Sequence, residues 1–315
     1  MATVALAGGV GAARFLRGVV RAVPPADLTV ISNTGDDRLF YGVHVSPDLD
    51  IVTYTLAGQI DRTKGYGLAG DGFRVVDALA DLGHETWFRL GDRDLATALH
   101  RSVRLAEGVG LAEITDQVRR TFGLEVTILP MTEDPAPTYV ELEGGRRAHF
   151  EEYLARDGAP DDVSGVDLSA ARAARPAPGV IDAIAQADQV LVCPSNPVVS
   201  IGPILAVQGV REALERCRAP IVGVSPIIGG APVKGPADRL LRGIGVEVSA
   251  RGVAGHYAGL FDGFVIDERD AEQKAEVEAL GLACRSTETL MRTPEIAEAL
   301  AREVLALAEE IRARS

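Results

Sequence analysis

The stretch Thr3-Val4-Ala5-Leu6-Ala7-Gly8-Gly9-Val10-Gly11-Ala12-Ala13-Arg14 decides the fold. An uncharged, mostly apolar run reads as a buried strand, and the glycines after it read as a tight turn into a helix. That helix declares itself in Phe15, Leu16, Val19, Val20 and Val23, spaced at helical intervals, and Pro24 and Pro25 stop it. The same grammar returns further on. Leu28–Ile31 runs into Ser32-Asn33-Thr34-Gly35-Asp36-Asp37, Val190–Cys193 into Pro194-Ser195-Asn196-Pro197, and Ile221–Val224 into Ser225-Pro226-Ile227-Ile228-Gly229-Gly230. Open α/β sheets bind ligands just beyond the carboxyl ends of their strands, so these loops converge on one crevice. Its glycines, hydroxyls and helix N-terminus suit a phosphate. The expected fold is α/β, a Rossmann-like, mostly parallel sheet with an inserted smaller subdomain.

Outward from that nucleus, helical spacing predicts helices over 48–56, 72–82, 94–106 and 114–122, and a short strand at 126–129. Tyr139–Leu142 and His149-Phe150 form a hairpin around Glu143-Gly144-Gly145. Residues 157–178 are rich in Asp, Ala, Arg, Pro and Gly and weak in periodicity. The Rossmann-like core is therefore assigned to 1–132 and 179–315, and the insert to 133–178. The α/β pattern resumes at Val180, with helices at 204–217 and 237–241. A last helix opens at Thr293-Pro294, a cap followed by a first-turn proline, and closes on Arg312 and Arg314.

The chain has 315 residues, 47% of them hydrophobic and 24% charged, enough for one large core or two modest ones. No apolar run reaches the roughly 18 residues of a membrane span, and no basic region precedes the first strand, so a cytoplasmic protein is expected. Cys193, Cys217 and Cys284 are too far apart for a zinc motif and too few for a disulfide framework. Cys193 reads as a buried thiol at a strand end. A net charge of −13 argues against nucleic acid or anionic membrane as partner, though a small anion needs only local positive charge.

Each loop carries its own chemistry. Gly8, Gly9 and Gly11 permit close backbone approach to an anion. The loop lacks the Lys-Ser/Thr pair of a P-loop, and Arg14 stands where the dinucleotide fingerprint has a small residue. Asn33, Thr34, Asp36 and Asp37 offer groups for Mg²⁺, for ribose hydroxyls or for capping a turn. Ser46 and Pro47 read as the cap and first turn of a helix, where Asp48 complements the dipole. Asp50 lies about 200° around that helix from Asp48 and needs another reason. Hard cations are commonly held by one or two carboxylates with substrate phosphates, which this inventory fits. Arg89 and Arg93 can clamp a phosphate or pair with a carboxylate, while Asp92 or Asp94 caps the next helix. Ser195, Asn196 and Ser200 sit in a proline-stiffened segment suited to base or phosphate recognition. Lys234, one of three lysines, follows Gly229 and Gly230 and favours a phosphate contact. The five histidines show no metal-ligand spacing, and no Ser-His-Asp arrangement stands out.

Taken in order, Leu6–Arg14, Asn33-Thr34 with Asp37, Ser46–Asp50, Leu90–Asp94, Pro194–Pro203, Ser225–Gly229 and Asp267–Asp270 resemble the 2-phospho-L-lactate transferases, CofD in archaea and FbiA in actinobacteria. The resemblance implies transfer of a phospholactyl, or in actinobacteria a phosphoenolpyruvyl, group from a guanosine diphosphate donor to the deazaflavin Fo. GMP is released, Mg²⁺ is used, and the product is coenzyme F-420-0 or its dehydro form. It also implies a homodimer. Carried onto this chain, Asp50 becomes the catalytic residue, near both Fo and the metal, and Asp37 a second metal ligand. Arg89, Asn33 and Thr34 bind Fo, while Gly8, Gly9, Gly11, Ser195, Asn196, Ser200, Gly229 and Lys234 hold the donor. Val10 stands where archaeal relatives tend to have Thr, leaving phosphate contact there to the backbone. Two alternatives stay open at this stage. One is a non-catalytic nucleotide-sugar-binding regulator of the YvcK type, against which Arg38-Leu39-Phe40 follows Asp36-Asp37. The other is a nicotinamide dehydrogenase, disfavoured by Arg14.

Overall fold

The computed structural model describes residues 1–314. The first strand, β1 (Thr3–Ala7), is buried throughout, and α1 (Gly9–Ala22) carries the chain over to β2 (Leu28–Ser32), which pairs with β1 in parallel. A small hairpin, β3 (Arg38–Phe40) and β4 (Val43–Val45), precedes four helices: α2 (Pro47–Leu56), α3 (Arg74–Asp81), α4 (Asp92–Ala106) and α5 (Leu111–Thr121). They lead to β5 (Thr127–Pro130), which pairs with β2.

The insert follows as an antiparallel sheet in the order β7-β6-β8, built from β6 (Tyr139–Leu142), β7 (Arg146–His149) and β8 (Val163–Asp167). The predicted hairpin is therefore present, and the stretch that lacked periodicity supplies a third strand. Helices α6 (Ser169–Ala173) and α7 (Val180–Ala185) return the chain to the main sheet at β9 (Gln189–Val192). The single helix expected over 204–217 is two, α8 (Gly202–Ala206) and α9 (Val210–Arg216). Gly209, at φ +76°, separates them. After β10 (Ile221–Val224) come the short pair β11 (Ile227–Ile228) and β12 (Ala231–Pro232), then α10 (Ala237–Gly243) and α11 (Ala250–His256). The chain ends with β13 (Gly263–Asp267), α12 (Lys274–Glu278), β14 (Ala283–Thr287) and α13 (Pro294–Arg314).

The central sheet has seven strands in the order β14-β13-β10-β9-β1-β2-β5, with every pairing parallel. Chain direction across the sheet reverses between β1 and β9. Such a switch point splays the loops at the strand ends apart and opens a crevice. Apolar residues fill both faces, as an all-parallel sheet requires. On one face α1 and α13 cross so closely that a Cβ on Gly18 would lie 2.0 Å from the Ala297 carbonyl oxygen. On the other, Val140, Leu142, Phe150 and Tyr153 of the insert share a core with Leu6, Val190 and Val192 of the sheet. The insert thus hangs over the carboxyl ends of the strands. Among the described residues no helix is long and apolar enough to cross a membrane.

Candidate active site

A cavity of about 630 Å³ opens at the switch point. Its floor is the β1 loop, where the chain turns into α1 through Gly8 and Gly9, the latter at φ +73°. A Cβ on Gly11 would lie 2.3 Å from the Pro194 carbonyl oxygen, so glycine is needed there to seat α1 against the β9 loop. The Ser195 hydroxyl accepts a 3.4 Å bond from the Gly8 N–H, tying the two loops together. Asn196 caps the following turn through the Val198 and Val199 N–H groups, which points Ser200 into the cavity. Arg14, one turn into α1, and Lys234 line the same side. Lys234 donates to the Lys64 carbonyl oxygen at 3.3 Å, and burial and then Arg14 lower its pKa. Neither cation has a carboxylate partner among the described residues. A basic, backbone-rich end results, suited to phosphate.

Acidic side chains adjoin the glycine loop. Asp48 accepts the Gly9 N–H at 2.7 Å and the Asn33 amide at 2.9 Å, and its pKa is pushed up to about 6 by burial. Asp36 is 4% exposed, and one carboxylate oxygen, Oδ1, has no partner. Burial, then Asp48 and Glu151, hold its pKa well above the carboxylate range. Glu151, from the insert, and Asp94, from α4, also line the cavity, each raised to about 7 chiefly by burial. Asp50 faces the cavity too, but Arg101 grips both its oxygens, one bond at 3.2 Å and one shorter. Burial raises the Asp50 carboxyl while Arg101 pulls it back; against burial, Asp50 raises the guanidinium. Trp87, Phe88 and Leu90, with Phe150 and Leu154 from the insert, form an apolar wall. Phe88 stacks on Phe40 at 3.8 Å, which holds this apolar wall.

Of the residues singled out in the sequence, the cavity brings together Gly8, Gly9, Gly11, Asp50, Arg89, Ser195, Asn196, Ser200 and Lys234. Arg89 stands at the rim, paired with Asp77 at 2.8 Å and lying over the Phe73 ring. Others stay behind the wall. Asn33 is fully buried and positions Asp48 and Gly35, while the Thr34 hydroxyl is buried beside it. Asp37 turns away from the main cavity and binds the Ser46 hydroxyl at 2.6 Å and the His44 ring at 3.0 Å. Gly229, at φ +58°, donates its N–H to Asp270 beneath the β11–β12 turn. The α4 cap is neither Asp92 nor Asp94. Asp71, from the preceding loop, accepts the Arg93 and Asp94 N–H groups. Cys193 is buried, which raises its thiol pKa and suits a structural role. Arg101 and Glu151 went unnoticed in the sequence.

The family model described as 2-phospho-L-lactate transferase CofD matches residues 3–296. The chain belongs to the CofD family. A phosphoenolpyruvate transferase of Kitasatospora aureofaciens is 48% identical over 99% of this chain and 99% of its own. A 2-phospho-L-lactate transferase of Methanosarcina acetivorans is 41% identical over 97% of this chain and 99% of its own. Among solved structures, a UPF0052-family protein of Bacillus halodurans matches with a TM-score of 0.64 over 96% of this chain and 98% of its own, at 18% identity, and so shows the fold alone. The CofD chain is therefore a transferase with a Rossmann-like fold. The dehydrogenase and regulator readings fall away.

Proposed function

We propose that the enzyme moves a phosphoenolpyruvyl or 2-phospholactyl group from a guanosine diphosphate donor to the terminal ribityl hydroxyl of Fo, releasing GMP. One observation carries this reading. A single cavity joins an unpaired basic end, a buried carboxylate side and an aromatic wall, which match a diphosphate, a reacting hydroxyl and a flat apolar ring. The N–H groups in the first turn of α1 beyond Gly9, with Arg14 and Lys234, hold the donor's phosphates and neutralise charge as it moves to the leaving GMP. The Fo hydroxyl oxygen attacks the phosphorus distal to guanosine. The bond from that phosphorus to the GMP oxygen breaks, GMP leaves with the bonding pair, and the hydroxyl proton passes to solvent. Asp50 is fixed by Arg101 and keeps α2 and α4 in register below the acceptor, a positioning role.

For Mg²⁺, the residues fit a site that the donor completes. Among the described residues no group of three or more His, Cys, Asp or Glu side chains is arranged to hold a metal. Asp50 gives both oxygens to Arg101, and Asp37 faces away from the main cavity, with one oxygen on Ser46 and His44. Asp36, with its unpartnered buried oxygen, and Asp48 would hold the ion, and donor phosphates would supply the remaining ligands. Once bound, it would neutralise the donor oxygens. Small soluble substrates of this kind fit a cytoplasmic reaction. Exposed Val75 on α3 and Leu82 just after it, with Leu99 and Val103 on α4, support a homodimer, which light scattering would detect. Incubating the protein with Fo, the guanosine donor and Mg²⁺ tests the whole reading. GMP and a phosphodiester of Fo should appear together; GMP without the diester would overturn the choice of acceptor.

A further inference from the structure

Glu151 is the acidic group that the insert brings to the cavity, and the protein leaves it unspent. It is 8% exposed, lines the cavity, and its carboxylate makes no hydrogen bond or ion pair among the described residues. Its neighbours are otherwise engaged. Asp48 holds the glycine loop, Asp50 is gripped by Arg101, and Asp94 accepts the Tyr54 hydroxyl at 2.8 Å. Arg38, whose charge partly offsets the effect of burial on Glu151, is paired with Glu152 at 2.8 Å and makes no ion pair with Glu151. A buried carboxylate without a partner is costly, and a fold keeps one where a ligand completes it.

Its place in the chain says which ligand. Phe150 and Leu154 flank it on the same wall, and Arg156 lies 5.8 Å from the Trp87 ring, which sets segment 150–156 against the aromatic wall. Asp36 and Asp48 feel its charge from the other side. Glu151 thus stands between the surface suited to a flat ring and the end suited to phosphates. We propose that Glu151 binds the hydroxyl-bearing chain of the acceptor, so that the inserted subdomain forms half of the acceptor site and sets the preference for a polyol-bearing substrate. A carboxylate is an acceptor-only group that takes hydrogen bonds from two hydroxyls at once. The inference rests on the transferase reading above and names the residue that would select its acceptor.

The test uses the full-length enzyme, Fo, and a deazaflavin whose side chain lacks the internal hydroxyls. Fo binding is followed by deazaflavin fluorescence without donor, and turnover with donor and Mg²⁺. Glu151→Ala should weaken Fo binding about 10- to 100-fold, the scale of hydrogen bonds to a charged group, and Glu151→Gln by less. The acceptor KM should rise while the donor KM and the Mg²⁺ requirement stay put. With the deoxygenated acceptor, wild type and variants should bind alike. Wild-type protein that fails to bind Fo would sink the acceptor reading and this inference together. Wild type that binds Fo no better than Glu151→Gln and Glu151→Ala, both folded by circular dichroism, would sink this inference alone. A raised Mg²⁺ requirement with unchanged acceptor KM would overturn it in favour of a metal ligand.

Discussion

Asp50 shows how a residue can be singled out in the sequence while its surroundings go unseen. Its place in Ser46–Asp50 marked it, but only the fold reveals Arg101 across from it, both nearly inaccessible to solvent. Removing one partner of such a pair leaves a buried charge uncompensated, which typically costs about 3–5 kcal/mol. Arg101→Ala should therefore melt well below wild type, read by calorimetry, whereas a surface pair such as Arg211 with Glu215 should change little on loss of either partner. Asp50→Asn should keep part of the bonding yet lower turnover by about 10²-fold, the scale of a small misplacement of the groups that it positions. Near wild-type turnover in folded Asp50→Asn would remove Asp50 from the mechanism. Arg101 was legible in principle, since Asp94, Ala98 and Arg101 fall on one stripe of α4. Glu151 was not, because it lies just past the predicted hairpin and outside every element that the sequence marks. The carboxylates also set a pH dependence. Asp94 and Glu151, at about 7 in the fold against 3.8 and 4.5 ordinarily, bind more protons folded than unfolded, so stability falls as pH rises through them. His149, lowered to about 4 mainly by burial, acts the other way, with its effect complete by about its ordinary 6.5. Between pH 6.5 and 8 the acids prevail, and ligand-free enzyme should lose roughly 1–2 kcal/mol, or a few degrees of Tm. Saturating Mg²⁺ should shrink that loss if Asp36 and Asp48 hold the ion. A Tm that stays flat across this interval would mean the carboxylates are ionised throughout.

At the scale of elements, the close approach of backbones matters more than any single side chain. Gly18 has no room for a Cβ, because α13 brings the Ala297 carbonyl within 2.0 Å of where it would sit. Both neighbours are backbone and cannot rotate away, so Gly18→Ala should force the two helices apart and lower soluble yield and Tm sharply. Gly9 offers the contrast. It needs positive φ but has open space around it, so Gly9→Ala should cost only the roughly 1–2 kcal/mol of a left-handed residue. Equal effects of the two substitutions in a denaturant melt would contradict the packing argument. The β-to-α alternation was readable because buried parallel strands are apolar runs ended by turn residues. Helix boundaries at 74–81 and 92–106 lay within a few residues of their expected positions for the same reason. The split between α8 and α9 was missed because apolar spacing continues through Val207 and Val210 while Gly209 turns the chain beneath it. The third strand of the insert has partly exposed residues at every position but one, so no alternation marks it. Pairing with β6 forms it, which is a tertiary fact.

Across the whole molecule, the insert and the Rossmann-like sheet cooperate: the sheet supplies the basic and carboxylate ends, and the insert closes the apolar wall with Phe150 and Leu154. The glycine loop, Asp50 and Lys234 could be read from the chain as members of one crevice, because each leaves the end of a sheet strand or starts the next helix. What could not be read was which carboxylates face the cavity, since Asp36 and Asp37 are adjacent and only the turn after β2 sends one inward and the other toward His44. The donor's three-carbon group is decided at this same scale, by the shape of the cavity as a whole. Relatives named for phosphoenolpyruvate are 43–48% identical to this chain and two named for 2-phospho-L-lactate 40–41%, a margin that favours the former donor. The enolpyruvyl carbon is planar and the lactyl carbon tetrahedral with a methyl, a difference of shape without a change of charge. Val10, which lines the cavity beside the glycine loop, offers no hydroxyl to tell them apart. Discrimination then comes from packing, which for a change of this size is worth about 1–3 kcal/mol, or 10–200-fold. The enzyme should therefore prefer the enolpyruvyl donor without wholly rejecting the lactyl one. Supplying both donors at equal concentration and weighing the products by mass spectrometry reads the choice directly, because the two diesters differ by two hydrogens. An excess of the heavier, saturated diester would reverse the donor preference and leave the transferase assignment standing.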